Sequence, residues 1–249
     1  MRFFVSLAYD GASYSGWQRQ ANAVSVQEKL ENALSLALGE EITVTGCGRT
    51  DAGVSASCFY AHFDTSYTIK EPRSALYKIN AILPTDIVVY DIFEVAPEAH
   101  SRFDACRRTY TYRIHTCKDP FAKYSFYYKF PVDIEAMNCA AASILGKRDF
   151  SAFEKSGSDN ATSICEVTEA FWKETSDNHS EFIISANRFL RNMVRATVGT
   201  LLEVGRGRHT PDWVGEVLES RDRCAAGGSV PGGPLFLSKV EYPEKIYIK

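Results

Sequence analysis

The chain has 249 residues, of which 45% are hydrophobic and 24% charged, with a formal net charge of −3. This is ordinary globular composition, with enough apolar residues for one large or two small cores and no low-complexity segment. No run of about 18 consecutive apolar residues occurs, which excludes a membrane-spanning helix.

The first element is a strand over residues 3–9. Its apolar start resembles a secretory leader, but Asp10-Gly11 interrupts the run and no Ala-x-Ala site follows. Ser25-Val26-Gln27-Glu28 is a capping box. The Ser side chain can bond the amide three residues on, and the Glu can reach back. The helix behind it sets Val26, Leu30, Ala33, Leu34 and Ala37 on one face and stops at Gly39. An extra strand is expected near Ile42. Residues 57–64 alternate Cys58, Tyr60 and His62 against Phe59, Ala61 and Phe63, a strand pattern. Pro72 opens a second helix with Leu76, Ile79 and Leu83, which ends before Pro84. Residues 86–95 are strand-like, so the first half reads β-α-β-α-β.

The second half repeats this grammar. Residues 109–116 alternate strictly as a strand. Asp133 caps a helix running to Leu145, with Gly146 after it. Residues 157–162 are polar and read as a mobile loop. Strands are expected at 164–173 and 181–186, a long helix at 187–204, a short one at 211–218 and a closing strand at 235–240. The fold class is α+β, in two lobes (1–100 and 101–249) whose sheets join, with the boundary at residues 96–103.

Seven cysteines, an odd number with no Cys-x-x-Cys pair, argue against a disulfide framework and a zinc site. Free, mostly buried thiols in a cytoplasmic protein are expected. The five histidines are scattered without ligand spacing.

The segment from Gly46 to Ala56 is the most informative. Asp51 stands between glycine-bounded turns (Gly46-Cys47-Gly48 and Gly53), with Arg49 two residues before it. Glycines let the backbone bend sharply and let another molecule approach closely. A hairpin whose Asp accepts a local backbone hydrogen bond is the plainer alternative. Two arginine islands stand out in an otherwise acidic chain. One holds Arg102, Arg107, Arg108 and Arg113 with Asp104. The other holds Arg188, Arg191, Arg195, Arg206 and Arg208 with Glu203. Such islands suit a local anionic partner such as RNA phosphates. On the expected long helix, Arg188, Arg191 and Arg195 form a stripe beside the apolar stripe of Phe189, Met193, Thr197, Leu201 and Val204. No acid stands four residues away to pair with them. The plainer reading of that stripe is three solvated surface arginines.

These pieces together resemble the TruA-type tRNA pseudouridine synthases over nearly the whole length. The matching segments are Tyr9-Asp10-Gly11, Tyr14-Ser15-Gly16-Trp17-Gln18-Arg19-Gln20, the capping box, and Gly48-Arg49-Thr50-Asp51-Ala52-Gly53-Val54. They continue with Asn80-Ala81-Ile82-Leu83-Pro84, Ser101-Arg102-Phe103 and Tyr110-Thr111-Tyr112. Met193-Val194-Arg195, Gly199 and Glu203-Val204-Gly205 complete them. Ser55 departs from the His usual after that Val, and Arg107-Arg108-Thr109 replaces the usual Ala-Arg-Arg.

The resemblance implies two ferredoxin-like (RRM-like) lobes sharing a largely antiparallel central sheet. It implies isomerisation of uridine to pseudouridine at tRNA positions 38, 39 and 40, in the anticodon arm, by a homodimer without a cofactor. Asp51 is then the essential carboxylate, acting at the ribose anomeric carbon, at carbon 6 of the ring or on the ribose 2′ proton. Arg195 is its ionic partner, and a charged guanidinium keeps a carboxylate ionised. Tyr110 stacks on the uracil, and its phenol can help remove the carbon-5 proton. Arg49 takes the space of the flipped base or holds its phosphate. Gln18 and Arg19 contact the RNA backbone, as do Arg188 and Arg191, while Trp17 reads as core packing. Three rivals stay open, one of them a related pseudouridine synthase acting on a different RNA site. A non-catalytic RNA-binding module would not need an ionised Asp in a Gly-rich loop. A small-nucleoside glycosidase would need a second marked carboxylate.

Overall fold

The computed structural model describes residues 1–158 and 160–248. The polar stretch at 157–162 includes Asp159, which lies outside the described residues. The chain divides into two compact units. One is Met1–Cys106 with the chain from Phe236 onward, and the other is Arg107–Leu235.

The first unit comprises β1 (Arg2–Tyr9), α1 (Val26–Leu38), β2 (Thr45–Gly46), β3 (Ser55–Asp64), α2 (Pro72–Ile82), β4 (Ile87–Val95) and the C-terminal β10 (Leu235–Glu241). β1 lies between β3 and β4, antiparallel to both. Ser25 Oγ accepts the Glu28 N–H at 3.2 Å, and Gly39 closes α1 in the left-handed region at φ 70°. The apolar residues Leu30, Leu34 and Ile79 of α1 and α2 are fully buried. Ile42 is not in a strand. Its N–H donates to Ser35 Oγ at 2.9 Å, and the short strand falls at Thr45–Gly46 instead.

The sequence reading assigned residues 236–248 to the second lobe, but this segment packs with the first unit. β10 pairs in parallel with β3, Phe236 opposite Ser55 and Leu237 opposite Ala56. Beyond it, Ala96 N–H donates to Ile246 O at 3.0 Å. Ile246 joins Phe4, Val95 and Ala99 in a buried cluster with Tyr60, Phe93 and Tyr242 packed against it. Complete burial of a ring such as Phe4 contributes about 1.5–3 kcal/mol.

The second unit comprises β5 (Arg107–His115), β6 (Phe126–Tyr127), α3 (Ile134–Ala141), β7 (Gly146–Asp149), β8 (Ile164–Ser176), β9 (His179–Ala186), α4 (Met193–Gly205) and α5 (Trp213–Ser220). β5, β9, β8 and β7 form an antiparallel ladder in that order, and β6 pairs in parallel with the end of β5. Asp133 caps α3 through the Ala136 N–H at 2.9 Å. That helix ends early, tightens into a single turn at Ala142–Ile144, and Gly146 opens β7 rather than capping it.

The helix expected from residue 187 begins at Met193. Asn187 Oδ1 accepts the N–H groups of Glu166 and Arg188 at 2.9 and 2.8 Å, and its carbonyl accepts Arg108 Nη1 at 3.0 Å. These bonds hold the segment to the strands, and Asn192 at φ 68° breaks any helical continuation. Arg188 and Arg191 are therefore off the helix, and the three-arginine stripe does not form. All α4 residues except Arg195 and Glu203 are buried. No helix among the described residues is long and apolar enough to cross a membrane.

Candidate active site

Asp51 stands half-buried in the loop between β2 and β3. Residues 10–20 strap that loop down. Trp17 N–H donates to Thr50 O at 3.2 Å, and Gly53 N–H to Tyr14 O at 3.2 Å. Thr50 Oγ1 lies 2.9 Å from the Tyr9 hydroxyl, and Val54 N–H closes a turn onto Asp51 O at 3.1 Å. Gly16 sits at φ 98°, and a Cβ there would lie 2.3 Å from Thr50 O. Only glycine permits this approach of two backbones. Trp17 is 1% exposed and stacks on Phe59 at 4.1 Å, so it packs the core beneath the strap.

Ser55 has a local structural task. Its Oγ accepts the Gly11 N–H at 3.0 Å and donates to Asp10 Oδ1 at 3.4 Å. Tyr14 donates to Asp86 Oδ1 at 2.6 Å, and burial together with that carboxylate pushes its phenol well above the usual range. It is therefore a fixed donor rather than an acid-base group.

Arg49 is exposed on the Asp51 loop. Gln18 and Arg19 are exposed, and both lean on α1. Gln18 Nε2 and the Arg19 N–H donate to Gln27 Oε1 at 2.9 and 3.0 Å. Arg19 Nη1 reaches Glu31 Oε2 at 3.3 Å. Glu31 Oε1 accepts from Gln27 Nε2 and the Val44 N–H at 3.0 and 3.1 Å. Gln27 and Glu31 thus form a buried polar platform that orients the two residues. The motif reading missed it, because a buried Gln–Glu pair on a helix carries no local signature.

In the second unit Tyr110 lies in β5 opposite Ile184, and the Phe189 ring meets it edge-on at 5.0 Å. Phe189 was expected on the helix and instead packs against this ring. Arg195 lies in the first turn of α4. Its Nε donates to Val230 O at 2.7 Å, and the Val230 N–H returns a bond to Arg195 O at 3.2 Å. One residue thus fastens both the backbone and the guanidinium. The surrounding loop is tied in turn. Arg223 Nη2 and Asn192 Nδ2 donate to Ser229 Oγ at 2.9 and 2.7 Å, Gly227 N–H to Thr200 Oγ1 at 3.0 Å, and the Tyr112 hydroxyl to Pro231 O at 3.1 Å. Residues 223–233 escaped the sequence reading, although Gly227-Gly228 and Pro231-Gly232-Gly233-Pro234 mark a built turn.

The arginine islands are only partly available to an external anion. Arg108 is buried and bonds Asn187 O, and Arg113 and Arg208 pair with Glu181 and Glu203 at 2.9 and 2.8 Å. Arg188 is half-buried and Arg191 exposed. Burial pushes the Cys165 thiol up to about 11, which makes it inert at neutral pH.

A family model described as tRNA pseudouridine synthase matches residues 140–243. The chain is 47% identical to tRNA pseudouridine synthase A of Bacteroides fragilis, over 99% of this chain and 98% of that one. It is 48% identical to the Parabacteroides distasonis protein of the same name, with the same coverage. Against that of Clostridium kluyveri it is 43% identical over 95% and 97%. The chain belongs to the tRNA pseudouridine synthase A family.

Proposed function

We propose that this chain isomerises uridine to pseudouridine at positions 38, 39 and 40 of the tRNA anticodon arm. The observation that carries the reading is Asp51 on a loop fixed by backbone bonds from residues 10–20, in a chain similar to tRNA pseudouridine synthases along its length. The reaction breaks the bond from ribose carbon 1′ to uracil N1 and forms one from carbon 1′ to carbon 5. Carbon 5 loses a proton and N1 gains one, so no electrons are exchanged.

Asp51 is the carboxylate that acts on the target nucleotide, and a rigid loop keeps its position without a reorganisation cost. Arg195 supplies the positive charge that keeps a reacting carboxylate ionised. Its fixed Nε sets the direction of the guanidinium fork. Tyr110 lies against the uracil and assists proton removal from carbon 5. Arg49 holds the flipped nucleotide, and Gln18, Arg19, Arg188 and Arg191 contact the RNA backbone. The β4-β1-β3 order of the first unit, with α1 and α2 packed together, supports a ferredoxin-like lobe. We place the working enzyme in the cytoplasm as a homodimer.

The test is tritium release from tRNA labelled at uridine carbon 5, with wild type and Asp51→Asn, alongside tRNA binding by both. Release by wild type alone, with binding kept by both, is the expected result. Release by the mutant removes Asp51 from the chemistry. Binding without release by either protein leaves the RNA-binding module.

A further inference from the structure

Six of the ten residues 121–130 are aromatic, and none of the ten is buried. Phe121 is 88% exposed. The segment is nevertheless ordered. β6 pairs with the end of β5, Tyr128 N–H donates to His115 O at 2.8 Å, and Ser125 Oγ meets His115 Nδ1 at 2.9 Å. Its charge is positive. Lys118, Lys123 and Lys129 are exposed, and the Arg206 guanidinium lies 3.6 Å over the Phe130 ring. The one acid within residues 118–130, Asp119, is engaged by the Phe121 N–H at 2.8 Å and by His179 Nε2 at 3.5 Å.

Phe126, Tyr128 and Phe130 are half-buried and pack on one another, whereas Phe121, Tyr124 and Tyr127 stay exposed, and an exposed ring such as Phe121 that gains little from folding is available to another molecule. Lysines interleaved with them select the partner. Lysine is depleted in the cores of protein–protein interfaces, whereas aromatic platforms edged by cations suit nucleic-acid bases and phosphates. Along β5, Ile114 follows Tyr110 by four residues, or about 13 Å of strand.

We propose that residues 118–130 form a second RNA-binding surface, on which unpaired nucleotides of the tRNA substrate stack against Phe121 while Lys123 meets their phosphates. The inference rests on the tRNA reading above. It assigns the surface to nucleotides other than the target uridine.

The experiment compares wild type, Phe121→Ala/Lys123→Ala and Phe121→Trp/Lys123→Arg. It measures binding of an unmodified tRNA transcript across a salt series, tritium release at saturating tRNA, and sedimentation of the protein alone. Removal of one stacked base predicts a roughly ten- to hundredfold weaker Kd for the alanine pair. The salt slope falls by about 0.7–0.9 with the lost phosphate contact. Turnover at saturation stays at the wild-type level, and the Trp/Arg pair restores binding. Unchanged affinity overturns the proposal. So does a change of sedimenting mass, which makes the surface a contact between copies. Wild type that binds tRNA but forms no pseudouridine defeats the isomerase reading, while the binding arm alone still decides this surface.

Discussion

Gly16→Ala tests whether the strap positions Asp51. Two penalties arise at this site. An alanine at φ 98° is strained, at a cost of about 1–3 kcal/mol. Its Cβ would also lie 2.3 Å from Thr50 O and 3.1 Å from the Asp51 carbonyl carbon. Real Cβ contacts almost never fall below 3.0 Å, so the Thr50–Asp51 backbone has to retreat by about 0.7 Å or more. Overpacking of this kind costs about 1–3 kcal/mol, and a misplacement near 1 Å costs roughly 10²-fold in rate. Gly39→Ala supplies the control. Gly39 is also left-handed, at φ 70°, but nothing lies within 4 Å of its added Cβ. It carries the strain without the intrusion. Thermal melts and single-turnover tritium release on both variants separate the two effects. Gly39→Ala is expected to lose about 1 kcal/mol and keep its turnover. Gly16→Ala is expected to lose about 2–6 kcal/mol and to slow about 30- to 100-fold. Equal melting losses with wild-type turnover in Gly16→Ala would refute the positioning argument.

Three further outcomes follow from the same geometry. Ser55→Ala strands the buried Gly11 N–H and is expected to cost about 1–3 kcal/mol, read by urea unfolding; a loss below about 0.5 kcal/mol would remove Ser55 from the strap. Trp17→Ala empties the space against Phe59 and is expected to cost about 3–5 kcal/mol, which a near-neutral melt would contradict. His62 gives a pH dependence. Burial, with Arg2 and His100 nearby, pushes its imidazole down to about 4 against the opposing pull of Asp64. Nδ1 accepts the Ser101 N–H at 3.2 Å and lies 2.9 Å from Ser101 Oγ, so a proton on Nδ1 costs the bond from the Ser101 N–H. The folded value is depressed below the unfolded one, near 6.5. The contribution of up to about 3 kcal/mol is therefore complete above pH 6.5 and is lost as pH falls toward 4. Urea unfolding between pH 7 and 4 checks it. His62→Gln should flatten the slope, and an unchanged slope would place the dependence elsewhere.

Several elements were legible in the residues because their causes are local. Ser25 caps α1, Gly39 stops it and Pro72 opens α2, each through a bond or dihedral set within a few residues. Asp51 was legible as a residue presented on a tight turn for the same reason. The long helix misled because Arg188, Arg191 and Arg195 have helical spacing. The bonds of Asn187 to Glu166 and Arg108 run to residues 21 and 79 positions away. Contacts at such separations outweigh the weak preference of a short polar segment for helix.

The sequence by itself determined the alternation of strands and helices, the presentation of Asp51 on a tight glycine-bounded loop and, through motifs in order along the chain, the family. The tertiary structure alone decided that α4 is a buried helix starting at Met193, that Val230 holds Arg195, and that the chain from Phe236 onward returns to the first unit. The physical reason is the same for all three. Parallel pairing of β10 with β3 joins residues about 180 positions apart, and the Arg195–Val230 bonds span 35. Neither partner is marked in the residues that make the contact: the glycines and prolines around Val230 signal a turn but not that it meets Arg195. Local backbone preference writes itself into neighbouring positions, whereas long-range pairing is set by which surfaces remain to be covered once the local elements have formed.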